Sequence, residues 1–216
     1  FRSGYRYDSR NDPFDPTRGR RFGLSMTVAG GVLGGDFSYV KPVGNGTIYY
    51  NVNRKSHLAV NVEGGLVRPY DGQPIPIFER FRIGGDRSVR GFGYGSIYPL
   101  DENDQAFFNE QGALLGGDRY LVMNLEAVYY VAGPLKFVLF FDAGNAWLEG
   151  QTFNPFKMRA SAGVELRMFL PIFQAPLRFI YGINLDPKTI RGQNGVPLAG
   201  GQEKRSDFQF SIGTTF

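Results

Sequence analysis

The chain has 216 residues, with 24 Lys and Arg against 20 Asp and Glu for a net charge of +4, and it carries 30 Gly, 20 Phe, 12 Tyr, one Trp, one His and no Cys. That length suits one domain, the apolar and aromatic content excludes a disordered chain, and no apolar run approaches the roughly 18 residues of a membrane-spanning helix. The lack of Cys excludes disulfides and Cys-ligated metal, the lone His57 excludes a His-pair metal site, and +4 is too small a charge to point to nucleic acid.

Period-two alternation predicts nine strands, near residues 1–10, 20–31, 36–52, 57–67, 119–132, 135–147, 157–170, 176–185 and 206–216. In the first run Arg2, Arg6, Asp8 and Arg10 take the parity opposite to Phe1, Tyr5 and Tyr7, and nothing in it resembles the apolar core of a signal peptide. Arg18-Gly19-Arg20-Arg21 reads as a solvated turn near lipid headgroups, and His57 as an exposed residue at a turn. The fifth run sets Leu121, Met123, Leu125, Ala127 and Tyr129 against Val122, Asn124, Glu126, Val128 and Tyr130. In the sixth, Asp142 opposes Phe137, Leu139 and Phe141. The seventh sets Ala160, Ala162, Val164, Leu166 and Met168 against Arg159, Ser161, Gly163, Glu165 and Arg167, and the eighth sets Leu177, Phe179, Tyr181, Ile183 and Leu185 against Arg178, Ile180, Gly182 and Asn184. The last run, Phe208-Gln209-Phe210-Ser211-Ile212-Gly213-Thr214-Thr215-Phe216, ends on an aromatic residue.

A soluble sandwich also alternates, so three further features are needed to separate it from a membrane barrel. Most of the runs are longer than the usual ~5–6 residues of a sandwich strand and suit tilted strands that cross a bilayer in about 9–11. Aromatics gather at run ends (Tyr129, Tyr130, Trp147, Phe169), where a barrel places its interfacial girdle. Glycines sit mid-run on the polar parity (Gly4, Gly23, Gly163, Gly182, Gly213), as a curved wall crowded from inside requires. An outward Asp142 would put a carboxylate in hydrocarbon, so it is expected to face inward and be paired or wet. Connections are short after runs three, five and seven (53–56, 133–134, 171–175) and long after four, six and eight (68–118, 148–156, 186–205), the division between periplasmic turns and outer loops. This places Phe216 on the periplasmic side and Phe1 outside, an odd strand count that implies either a run that does not span or strands upstream.

The longest connection contains Gly84-Gly85-Asp86-Arg87-Ser88-Val89-Arg90-Gly91-Phe92. This segment resembles the Val-Arg-Gly-Phe/Tyr loop motif of the BamA family of outer-membrane assembly factors. Three other segments are similar to the same family: Asp8-Ser9-Arg10-Asn11 through Pro16-Thr17-Arg18-Gly19, Phe140-Phe141-Asp142-Ala143-Gly144-Asn145-Ala146-Trp147, and the last run. The resemblance implies an all-β transmembrane antiparallel barrel, with residues 1–216 as one domain of about 8–9 strands that matches the carboxyl-terminal half of a barrel of about 16. It also implies upstream strands and periplasmic repeat domains that this sequence does not contain. The loop is expected to fold inward on Val89, Arg90, Gly91 and Phe92, with Arg90 meeting Asp142 and Glu126. A closed eight-stranded barrel is only wide enough for its own side chains, so a loop of about 50 residues would have to cap or splay from one.

The function implied is insertion of outer-membrane proteins in a Gram-negative-type bacterium by strand templating at a lateral gate. Phe208, Phe210, Ile212, Gly213 and Phe216 then form the closing strand and its terminal signal. The implied partners are unfolded outer-membrane proteins, the lipid bilayer and accessory lipoproteins, with self-association through unpaired strand edges and no nucleic acid. No cofactor, metal or catalysis is implied. A translocation pore of the two-partner-secretion type or a passive small-molecule channel stands as the alternative. Gly91-Phe92-Gly93-Tyr94-Gly95 lacks the strand–loop–helix setting of a nucleotide loop, and Asp101-Glu102-Asn103-Asp104 lacks calcium-loop spacing.

Overall fold

The structure is a computed structural model that describes residues 1–31, 34–70, 72, 74–169 and 175–216. In chain order the strands are β1 (Arg2–Asp8), β2 (Gly19–Ala29), β3 (Tyr39–Asn53), β4 (Ser56–Leu66), β5 (Arg68–Pro69), β6 (Arg119–Ala132), β7 (Leu135–Trp147), β8 (Arg159–Met168), β9 (Leu177–Asn184), β10 (Thr189–Arg191), β11 (Pro197–Gln202) and β12 (Ser206–Ile212). Nine of them form one antiparallel sheet in the order β1-β2-β3-β4-β6-β7-β8-β9-β12, with short β5 also on β3. The sheet is open, and β1 and β12 are its two edges.

Register explains why the faces separate. Successive side chains alternate, so tight turns such as Gly133-Pro134 fix which parity of one strand lies beside which parity of the next. The outcome is apolar outside and polar inside. Leu125, Leu139 and Phe208 are 46%, 53% and 64% exposed, whereas Asn124, Asp142 and Glu165 are 3%, 0% and 0%. A soluble sheet would be the reverse, and an outward apolar band is what hydrocarbon requires of a strand-built membrane protein. No helix among the described residues is long and apolar enough to cross a membrane.

The sheet curls around its polar face. Thr215 lies just beyond β12 yet hydrogen-bonds Glu126 in β6 at 3.1 Å. Along a flat sheet those strands would be about 19 Å apart, four steps at the usual spacing. Within the curve lies the 68–118 connection, which is ordered by isolated bridges (Phe81 to Gly117, Ile83 to Ile97, Leu100 to Ala106) rather than by long strands. Ile83, Val89, Phe92 and Ile97 from this connection pack with Tyr120, Val122 and Ala146 of β6 and β7 into the hydrophobic core. Lys41 of β3 anchors its start, donating to the backbone oxygen and carboxylate of Glu79 at 2.8 and 2.9 Å. The nine strands do not close on themselves among the described residues, and the loop lies against their inner face.

The structure departs from the expected local picture in three places. The last run stops being a strand at Ile212: Gly213 takes φ +117, a conformation glycine adopts without strain, and residues 214–216 turn inward. The connection at 186–205 is not irregular throughout, since β10 and β11 pair within it. His57 is not exposed but 4% accessible. Its parity on β4 points inward, and residues of the 9–18 turn cover it, with Asp15 bonded to Lys136 of β7. The turn predicted at 171–175 lies, apart from Ala175, outside the described residues.

Candidate functional site

The inner face is organised in rows. Cross-strand pairing places Thr47, Asn61, Asn124, Asp142, Ser161 and Asn184 side by side from β3 to β9. Thr47 donates to Asn61 at 2.9 Å, Asn61 to Asn124 at 3.0 Å and Asn124 to Asp142 at 2.9 Å, so the row is a chain of hydrogen bonds ending on a carboxylate. Most buried polar groups are partnered in this way, and in the same row the Ser161 hydroxyl is an exception, buried without a partner among the described residues.

Onto this row the loop lowers Arg90. Glycines shape its approach: Gly84 and Gly85 have φ of +109 and +106, and the Ser88 hydroxyl accepts the Gly84 amide at 2.8 Å. Gly91, at φ +81, presses against Gly182 of β9 so closely that a Cβ on Gly182 would lie 2.5 Å from the Gly91 Cα. Asn124 also donates to the Ser88 carbonyl at 2.6 Å, tying the loop backbone to the wall.

The Arg90 guanidinium is fully enclosed. Its Nε and Nη2 donate to the two oxygens of Asp142 at 2.7 and 2.8 Å, and its backbone amide adds a bond to Asp142 Oδ2 at 3.0 Å. Nη1 donates to Glu126 at 2.6 Å and to Glu165 at 3.0 Å. The plane lies 3.9 Å from the centroid of the Phe140 ring. Burial alone would lower the Arg90 pKa, but the carboxylates of Asp142 and Glu126 outweigh it and hold the pKa above the ordinary value. A planar fork fits this three-strand set, whereas an ammonium would satisfy it only in part.

Two more arginines complete the cluster. Arg167 donates to Glu165 at 2.7 Å and to Glu126 at 3.1 Å, and Arg178 grips both oxygens of Glu165 at 2.9 Å. Arg90, Arg167 and Arg178 thus face Asp142, Glu126 and Glu165, a set without net charge, so the desolvation of each ion is offset locally. Sequence reasoning placed Glu165, Arg167 and Arg178 on the polar parity but did not name them as partners. Their signal was four adjacent runs, the fifth to the eighth, each carrying inward charge, and only register reveals that these charges meet.

The other predicted residues fall in distinct places. Val89 and Phe92 are buried in the core, and Arg159 lies over the Phe92 ring at 5.2 Å. Phe208, Phe210 and Ile212 face outward, with Phe210 against Phe179 at 5.3 Å between centroids. Gly213 donates its amide to Pro176 at 2.9 Å. Phe216 turns inward and lines a cavity of about 20 Å³ with Phe14, His57 and Phe169. Asp101 accepts the amides of Asn103 and Gln105 as an ordinary turn, and among the described residues no cluster of His, Cys, Asp or Glu could hold a metal.

The Omp85 superfamily domain model matches residues 1–216. The chain is 32% identical over 97% of its length to an outer membrane protein assembly factor BamA from Nitratidesulfovibrio vulgaris, of which it spans 24%. It is 34% identical over 52% of its length to a sorting and assembly machinery component 50 homolog from Mus musculus, of which it spans 22%. Its fold superposes on the crystal structure of BamA from Haemophilus ducreyi lacking POTRA domains 1–3, with a TM-score of 0.72 and 23% identity over 97% of this chain and 41% of that one. The apolar outer face is therefore the lipid-facing surface of a bacterial outer-membrane β-barrel protein, and the chain belongs to the Omp85 superfamily.

Proposed function

We propose that the chain acts as part of an outer-membrane protein assembly factor, folding and inserting β-barrel proteins by templating their strands at a lateral gate formed with its closing strand, β12. Free backbone amides are prohibitive in hydrocarbon, so a client strand needs a partner before it enters the bilayer. An exposed strand edge supplies one by β-augmentation. The observation that carries the reading is the docking of Arg90 on the inner wall of a sheet with an apolar outer face, in a chain with a relative named as an assembly factor. Docking of Val89, Arg90, Gly91 and Phe92 on Asp142, Glu126 and Glu165 would keep the inner wall rigid while that edge exchanges partners.

The work is conformational. It makes and breaks no covalent bond and calls for no cofactor, so the protein acts without being an enzyme. Its partners are unfolded outer-membrane proteins and the bilayer, with accessory lipoproteins as helpers. The test is reconstitution of the full-length protein in liposomes with an unfolded outer-membrane client. Folding, followed by the gel shift of the closed barrel, should run faster than in empty liposomes; equal rates would refute the assembly reading. A large, steady single-channel conductance would favour a passive channel instead.

A further inference from the structure

We propose that Gln209, Ser211 and Thr215 are positioning residues that tie the open edge of the sheet to the docked loop, so that seating of the loop sets where β12 stands. The consequence for client strands rests on the function proposed above; the coupling itself does not.

The two edges of the sheet differ. Among the described residues no side-chain hydrogen bond joins the inward Arg2 and Arg6 of β1 to the loop. Two of the three inward residues of β12, Gln209 and Ser211, stitch it to the loop, while Asp207 bonds only Gln209 on the same strand. Gln209 Nε2 donates to the Phe92 carbonyl at 2.8 Å, and the Ser211 hydroxyl donates to the Asp86 carboxylate. Beyond the Gly213 bend, the Thr215 hydroxyl donates to Glu126 at 3.1 Å and accepts from Arg167 at 3.2 Å. Asp86 and Phe92 flank Arg90 in the chain, and Glu126 is one of the carboxylates that Arg90 bonds. All three ties thus end on the docked motif or on a partner of Arg90.

This arrangement makes the partners leave together. If Arg90 lifts from Asp142 and Glu126, Asp86 and Phe92 move with it, and Glu126 loses a neutralising charge. β12 then keeps its ladder to β9 but loses its ties from within. A strand held on one side by backbone and from within by a movable loop has two states, seated and loose, and the loop biases the choice.

The test is backbone hydrogen exchange on the full-length protein in lipid bilayers, comparing Thr215→Val, Ser211→Ala and Gln209→Leu singly and combined. Removing one such bond should speed exchange in β12 by about fivefold, with β6, β7 and residues 86–92 unchanged. Thr215→Ser, which keeps the hydroxyl, should restore the wild-type rate. Lifting the loop by Gly182→Ala should loosen β12 in the same way while its inward residues are intact. Unchanged exchange in β12 of the combined variant would overturn the coupling, as would equal acceleration of every strand, which marks general destabilisation. Client folding by the wild-type protein in the same bilayers separates the two ideas: its failure removes the assembly reading and leaves the exchange result to decide the coupling.

Discussion

On β6, Leu125 faces outward and is nearly half exposed, while Asn124 and Glu126 on either side of it are enclosed and bonded to other strands. Leu125 needs no particular partner, because hydrocarbon accepts any apolar group of suitable size. Glu126 needs Arg90, Arg167 and Thr215 in place, each from a different part of the chain. One face is therefore specified by residue class and the other by residue identity. Substitutions should divide along that line.

The largest effect is expected at Arg90. Arg90→Ala leaves Asp142 and Glu126 enclosed without their main counter-charge, a loss of about 3–5 kcal/mol for breaking a buried pair. Urea unfolding of the full-length protein in bilayers measures it. Arg90→Lys should recover only part, since one ammonium cannot span Asp142, Glu126 and Glu165 as the fork does. A complete rescue by Lys would mean that the inner face, like the outer, asks only for a residue class.

A charge on the outer face probes the same line from the other side. Leu125→Arg, near the middle of β6, should cost about 2–4 kcal/mol in the same measurement, and Leu125→Ile far less. If Ile were as harmful as Arg, the lipid-facing assignment would fail.

Packing comes next. At Gly182→Ala the new Cβ meets backbone atoms of Gly91, which cannot swing aside as a side-chain tip would, and overpacking of this kind costs about 1–3 kcal/mol. The loop should lift, so protease cleavage within 86–92 in the folded protein should rise. At Gly44, a Cβ meets nothing closer than 3.8 Å, and Gly44→Ala should leave the loop protected.

These effects also explain what was legible in the sequence. The nine long strands could be read because a face buried against one medium and a face buried against another impose a strict period of two. Asp142 could be singled out because a carboxylate amid Phe140 and Phe141 has nowhere else to point, whereas Glu126 came from the family resemblance, with its parity opposite to Leu125 in agreement. Glu165, Arg167 and Arg178 were visible as inward charges but not as partners, since their meeting depends on the β7–β8 and β8–β9 registers. β10 and β11 were missed because Thr189–Arg191 is too short for a period to emerge and Pro197–Gln202 carries two glycines. The inward turn at Gly213 was missed because Thr214, Thr215 and Phe216 continue the alternation, while the cause of the bend lies in Glu126 and Arg167, far away in the chain.

The smallest effect belongs to the 9–18 turn, where the bonds are local and exposed. Asp12 Oδ1 accepts the amides of Asp15 at 3.0 Å and Phe14 at 2.7 Å, and these bonds hold its pKa below the ordinary carboxylate value of 3.8. A depressed carboxylate adds stability above its unfolded pKa and loses it as pH falls through the folded one. The turn should therefore keep its amide protection at neutral pH and lose it only in acid, below about the unfolded Asp value of 3.9. Asp12→Asn keeps the acceptor oxygen without the charge, so it should preserve the turn and abolish that pH dependence, whereas Asp12→Ala should open the turn at every pH. Amide exchange of Phe14 and Asp15 measured against pH distinguishes these outcomes. Acid loosening that persists in Asp12→Asn would show that the Asp12 carboxylate does not govern the turn, which would then depend on its contacts to Lys136 and Tyr130 across the inner face.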